Sequence, residues 1–66
     1  MQLIVNGQQR ETTATTVADL VGDITGSTTG AGIAVAIGDT VLPRSEWTRP
    51  LNDGDTVEIL TAVQGG

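Results

Sequence analysis

The stretch TTVADLVGDITG, residues 15–26, decides the fold because it is the one segment with a helical pattern. Four apolar side chains are spaced i, i+3, i+4 and i+7 along it, which places them on one face of a helix. They are Val17, Leu20, Val21 and Ile24. Thr16 is a suitable N-cap with Asp19 three residues later, and Gly26 is suited to end the helix. A single short helix with one apolar face needs another surface to cover that face.

Short strand patterns lie on both sides of this helix. Five strands are predicted, two before the helix and three after it: residues 1–5, 8–13, 33–37, 40–42 and 56–60. Asn6-Gly7 is a strong signal for a type I′ hairpin, and Gly38-Asp39 suits a type II′ hairpin. The second strand is almost wholly polar, so it is predicted to lie at an edge of the sheet.

Alternation along the strands separates two faces of the predicted sheet. The side chains predicted to face the helix are Met1, Leu3, Val5, Ile33, Val35, Ile37, Val57 and Ile59. Those predicted to point away from the helix are Ile4, Ala34, Ala36 and Leu60. Trp47, the one aromatic residue, is predicted to be a partly buried cap over one end of the core, with its indole N–H bonded to backbone or water. Asp53 and Asp55 flank a glycine and are predicted to form a turn.

The order of elements predicts an α+β protein. Too few residues separate the strands for several crossover helices, which excludes a doubly wound sheet. What is left is a small mixed β-sheet with one α-helix packed across one face. This is the β-grasp, in which the first and last strands lie side by side and parallel at the centre. We expect residues 1–60 to form this domain and residues 61–66 to form a flexible tail that ends in Gly-Gly.

Composition excludes several classes of function. The chain has no cysteine and no histidine, so it lacks a thiol nucleophile and the commonest general base and metal ligand. A self-sufficient hydrolase is therefore not expected, and no metal site is predicted. The net charge of −5 argues against nucleic acid, which attracts clustered positive charge. No apolar run approaches the ~20 residues of a membrane span, so no membrane contact is expected. We expect a cytoplasmic protein, and one that is monomeric when alone.

The second half of the chain resembles a known family. VLPRSEW, residues 41–47, and LNDGDTVEILTAVQGG, residues 51–66, occur here in a ubiquitin-like order of elements. Together they closely resemble the ThiS-type sulfur carriers of thiamine biosynthesis. The resemblance covers essentially the whole chain and is most specific over residues 33–66. The small subunit of molybdopterin synthase also ends in Gly-Gly, but it is typically longer and richer in aromatic residues.

The resemblance implies that the carboxylate of Gly66 is the reacting group. A ThiF-type adenylyltransferase, similar to ubiquitin-activating enzymes, would use ATP and Mg to adenylate it. A persulfide sulfur from a donor protein would displace AMP, and thiazole synthase would take the sulfur from the resulting thiocarboxylate. The chain would then bind no cofactor of its own, and it would be a protein co-substrate and not an enzyme.

The composition of the tail fits this chemistry. Gly66 has no Cβ to crowd a sulfur that attacks its carbonyl carbon, and Gly65 allows backbone conformations that other residues avoid. The six residues after Leu60 reach about 20 Å when extended at ~3.3–3.6 Å each. That length would thread the carboxylate into a buried site. Ala62, Val63 and Gln64 are predicted to contact the partner along the way.

A docking surface and two alternatives complete these predictions. Ubiquitin relatives bind their activating enzymes through the sheet face opposite the helix. The resemblance therefore implies that Ile4, Ala34, Ala36 and Leu60 form a partner-binding group. The alternatives are a molybdopterin-synthase-type carrier subunit and a ubiquitin-like modifier that forms isopeptide bonds with target lysines. The same activated terminus serves all three functions, and only the acceptor differs.

Overall fold

The computed structural model of the chain describes residues 1–26 and 31–61. In chain order the elements are β1 (Gln2–Val5), β2 (Gln8–Glu11), α1 (Val17–Thr25), β3 (Ile33–Ile37), β4 (Thr40–Leu42), a 3₁₀ helix (Arg44–Glu46) and β5 (Thr56–Thr61). Within the described residues the strands form one sheet in the order β2-β1-β5-β3-β4. β1 and β5 are parallel at its centre, and the other neighbouring pairs are antiparallel. With α1, this sheet forms the predicted ubiquitin-like β-grasp.

The strand bounds agree with the prediction at β3 and β4 and differ slightly elsewhere. β2 lies at an edge as predicted, but it ends at Glu11. Its last residue pairs with Gln2, the first residue of β1, and beyond it the N–H of Thr12 still donates to the carbonyl of Met1 at 2.9 Å. β5 extends one residue further than predicted, since Thr61 pairs with Ile33 of β3.

The ends of α1 have the predicted caps. The hydroxyl of Thr16 accepts a hydrogen bond from the backbone N–H of Asp19 at 3.2 Å, which satisfies one of the free donors of the first turn. Gly26 takes a left-handed conformation with φ of 73°, and its N–H donates to the carbonyl of Gly22 at 2.8 Å. Helical spacing then directs one face of α1 at the sheet. Val17, Leu20 and Val21 are buried on that face, and Ile24 is partly buried.

The inner face of the sheet meets α1 in a single core. The sheet side chains buried there are Leu3, Val5, Val35, Ile37, Leu42, Val57 and Ile59. Ile33 is only partly buried, and Met1, which precedes β1, is 37% exposed, so neither is a full core residue.

Trp47 belongs to the same core and is more deeply buried than the partly buried cap that the sequence predicts. It is 3% exposed, and its indole N–H donates to the carbonyl of Leu42 at 3.4 Å. The guanidinium of Arg44 lies over the ring, 4.8 Å from its centroid. The 3₁₀ helix that begins at Arg44 and ends just before Trp47 was not predicted from the sequence.

The acidic residues before β5 have the predicted structural role. Asp53 Oδ1 accepts from the backbone N–H of Gln2 at 2.7 Å, and Asp55 Oδ2 accepts from the N–H of Asn52 at 2.9 Å. These bonds shape the turn that leads into the central strand. No group of three or more Asp, Glu, His or Cys side chains that could hold a metal ion occurs within residues 1–26 and 31–61. In the same residues, no helix is long and apolar enough to cross a membrane.

Candidate partner-binding face

The face of the sheet that points away from α1 presents exposed apolar side chains. In β5 the buried residues Val57 and Ile59 alternate with the exposed residues Glu58 and Leu60. Leu60 is 67% exposed, which is a large exposed fraction for a leucine in a central strand. Alternation in a strand determines this arrangement, because each step along it reverses the direction of the side chain.

Strand register brings four apolar residues of this face together. Ala34 lies opposite Leu60 across β3 and β5, and Ala36 lies opposite Val41 across β3 and β4. Val41 is 72% exposed. We call these four residues, Ala34, Ala36, Val41 and Leu60, the outer apolar patch. Contiguous apolar groups on an exposed face mark interaction surfaces more often than scattered ones do.

The small alanines make this patch concave. Between Leu60 and Val41 lies a hollow of about 80 Å³, floored by Ala34 and Ala36. A wider hollow of about 380 Å³ lies on the side toward the end of β5, where Gly32, Ile33 and Thr61 join Ala34 and Leu60 in lining it. Leu60 therefore contributes to both hollows, which suits it to interlock with a complementary surface.

Ile4 shares the outer face but does not belong to this patch. It lies opposite Thr56 in the parallel pairing of β1 and β5. Thr56 comes four residues before Leu60 along β5. At ~3.3 Å per residue the two positions are about 13 Å apart. Glu58 occupies the same face between them. The expectation that Ile4 and Leu60 form one contiguous group is therefore wrong, because the offset of two parallel strands is not visible in their separate sequences.

Val41 was missed in the sequence prediction although a signal for it existed. A two-residue turn at Gly38-Asp39 pairs Thr40 with Ile37, which places Val41 opposite Ala36. Since Leu42 is buried, alternation directs Val41 to the outer face.

Glu58 gives the patch a negative charge at its border. It lies opposite Ala36 and lines the smaller hollow. Within the described part of the chain, Glu58 forms no salt bridge. A partner that covers the patch would meet this carboxylate, so a basic group on the partner would complement it.

The remaining predicted site residues lie outside the described residues. These are Ala62, Val63, Gln64, Gly65 and Gly66. The last described residue is Thr61, held in β5 by its pairing with Ile33 and adjacent in sequence to Leu60 of the patch. The five residues that follow therefore begin at the edge of the outer apolar patch.

Comparisons with known proteins agree with this architecture. The sequence profile of the ThiS family matches residues 3–66. Among solved structures, the chain is similar to the crystal structure of the thiamine biosynthesis protein ThiS from Geobacter metallireducens, with a TM-score of 0.78 and 27% sequence identity. That match covers 100% of both chains. No curated protein sequence matches the chain.

Proposed function

This chain belongs to the ThiS family, and we propose that it carries sulfur as a thiocarboxylate on Gly66, formed after an activating enzyme adenylates that carboxylate. Family membership supports the coarser statement, that the chain is a sulfur carrier in thiamine biosynthesis. It also favours the thiamine carrier over the molybdopterin-synthase subunit. The observation that carries the finer proposal is that the family match extends through Gly65 to Gly66.

The reaction follows from the chemistry of a carboxylate. A carboxylate is a poor electrophile until one oxygen becomes a good leaving group. Attack of the Gly66 carboxylate on the α-phosphorus of ATP releases pyrophosphate and leaves an acyl-adenylate. The outer sulfur of a persulfide then attacks the carbonyl carbon and AMP leaves. A thiol cleaves the remaining S–S bond, and the sulfur stays on Gly66.

The chain's contribution to this reaction is binding and positioning. The activating partner, a ThiF-type adenylyltransferase, binds ATP and Mg and supplies the reacting groups around Gly66. The outer apolar patch docks on that partner while the tail enters its active site, with Ala62, Val63 and Gln64 along the channel. Ile4 contacts the partner only if the interface extends about 13 Å beyond Leu60 along the sheet. Thiazole synthase then receives the loaded carrier.

Deletion of Gly66 tests the proposal. Gly65 would then provide an equally unhindered carboxylate, but the chain would be shorter by about 3.3–3.6 Å, which exceeds the tolerance of a reaction that needs near-attack contact. We expect the deletion to abolish pyrophosphate release with the activating enzyme. The melting temperature should not change, because the core residues lie between Leu3 and Ile59. Full activity of the deletion variant would show that Gly66 is not the reacting residue.

A further inference from the structure

The side chain of Asn6 forms two hydrogen bonds to one residue of the central strand β5. Its Nδ2 donates to the carbonyl oxygen of Ile59 at 3.1 Å, and its Oδ1 accepts from the N–H of Ile59 at 2.8 Å. The orientation of the amide is determined by its partner, because a reversed amide would place donor against donor and acceptor against acceptor. We call this pair of bonds the Asn6 bracket. It joins residues 53 positions apart in the sequence.

The Asn6 bracket takes the place of the next step in the β1–β5 ladder. β1 pairs with β5 up to Val5 and Val57, and the backbone N–H of Asn6 donates to the carbonyl of Val57 at 2.9 Å. The chain then turns away, with φ of 51° at Asn6 and 82° at Gly7, the two positive values of a type I′ turn. Beyond that point β1 has no backbone N–H or carbonyl group positioned to pair with Ile59. The amide of Asn6 supplies both the donor and the acceptor that a strand residue would have supplied.

The position of the Asn6 bracket connects it to the outer apolar patch. Ile59 directly precedes Leu60 of the outer apolar patch and lies two residues before Thr61, where β5 ends. β3 holds the other side of β5 through the pairing of Ile33 with Thr61. With the Asn6 bracket, the end of the central strand is held from both sides up to Ile59.

We propose that Asn6 is a positioning residue for docking on the activating partner, since its bracket fixes the backbone of Ile59 and with it the direction of the neighbouring Leu60 side chain in the outer apolar patch. This inference rests on the proposed function. Without the bracket, Ile59 could shift, and Leu60 would no longer hold one direction in the outer apolar patch. Docking through Leu60 is tighter when that direction is fixed before the partner binds, because ordering it on binding costs affinity.

Two substitutions separate the Asn6 bracket from the turn. Asn6→Gly removes both bonds, but glycine accepts the positive φ and a Gly-Gly pair suits a type I′ turn. Asn6→Asp preserves side-chain size and gives Asp-Gly, another favoured type I′ pair, but it sets a carboxylate oxygen against the carbonyl of Ile59. Both variants therefore preserve the hairpin and lose the donor that holds Ile59.

The experiment measures hydrogen exchange at the Ile59 amide and the kinetics of pyrophosphate release, with the carrier as the varied substrate of the activating enzyme. For Asn6→Gly, which removes the acceptor of the Ile59 N–H, we expect faster exchange at Ile59. Asn6→Asp keeps a carboxylate oxygen as acceptor, so its exchange at Ile59 should change less. For both variants we also expect a carrier KM raised about fivefold to tenfold with kcat unchanged, because the loosened end of β5 must be ordered on docking at a cost comparable to that of the lost hydrogen bonding. The increase is limited because β3 still pairs with the other side of β5.

The control variant is Thr16→Ala. It removes the 3.2 Å cap bond of α1 and lowers the melting temperature without touching β5. We expect its KM to equal that of the wild type. If wild-type carrier is activated and both Asn6 variants have the KM of Thr16→Ala, the inference about Asn6 is overturned while the proposed function stands. If the wild type releases no pyrophosphate, the proposed function itself fails. Should Asn6→Gly not fold at the assay temperature, Asn6→Asp decides by the same comparison.

Discussion

Substitution of Leu60 by aspartate distinguishes a docking surface from a structural one. Leu60 is 67% exposed, so folding buries only about a third of it. Full burial of a leucine contributes about 1.5–3 kcal/mol, and the fold should therefore lose about 0.5–1 kcal/mol in Leu60→Asp. The adjacent residue Ile59 is 5% exposed, and Ile59→Ala should cost about 2–5 kcal/mol. The two neighbours should differ clearly in thermal stability.

The effect on binding should be the larger one for Leu60. The two thirds of the side chain that remain exposed would contribute about 1–2 kcal/mol when a partner covers them. Losing that contribution weakens binding about fivefold to thirtyfold. A new carboxylate beside Glu58 adds a desolvation cost and like-charge repulsion in the interface. Leu60→Asp should therefore weaken binding to the partner more than Leu60→Ala does.

The assay is the KM of the carrier in pyrophosphate release, with a melting curve for each variant. Gln9→Asp is the matched control, because Gln9 is exposed on the same face, opposite Ile4 and outside the outer apolar patch. We expect its KM to be close to that of the wild type. If Leu60→Asp has the same KM as Gln9→Asp, the patch is not the docking surface. If Leu60→Asp unfolds as readily as Ile59→Asp, the assignment of faces in β5 is wrong.

Two further predictions concern the first turn of α1 and the contact between Arg44 and Trp47. The hydroxyl of Thr15, which donates to Asp19 at 3.2 Å, holds the pKa of Asp19 below its usual value of 3.8. The stability that this bond contributes is therefore complete above about pH 3.8 and is lost as the pH falls through the lowered pKa. Thr15→Val should raise the pKa of Asp19, as measured in a carboxyl NMR titration. An unchanged pKa of Asp19 would contradict this prediction. Arg44→Met should lower the free energy of unfolding by about 0.5–1 kcal/mol through loss of the contact with Trp47. Urea unfolding followed by tryptophan fluorescence measures this, and equal stability would mean that the contact contributes nothing.

Local features of the fold were predictable from the sequence because their causes lie within a few residues. The spacing of apolar residues predicted α1, and the side chain of Thr16 and the conformation of Gly26 set its ends. The two-residue turns predicted both hairpins, and alternation assigned Leu60 and Ile59 to opposite faces. In each case a neighbour at a known distance along the chain determines the structure.

Features that depend on distant pairing were not predictable in this way. The offset of β1 against β5 separates Ile4 from Leu60, and it follows from how the whole core packs. The Asn6 bracket is another example, because Asn6-Gly7 was sufficiently explained as a turn signal and nothing in the sequence indicated a bond to Ile59. Val41 differs from both, since turn length and alternation were enough to place it on the outer face.

The measurement that tests the central claim most directly is the intact mass of the carrier after reaction. The chain is incubated with a ThiF-type activating enzyme, ATP, Mg and a persulfide donor, and the products are fragmented to locate any change. We predict a mass gain equal to one sulfur in place of one oxygen, confined to Gly66 and absent from the variant that lacks it. An unchanged mass, or an amide-linked adduct between Gly66 and a lysine of another protein, would contradict the assignment as a sulfur carrier.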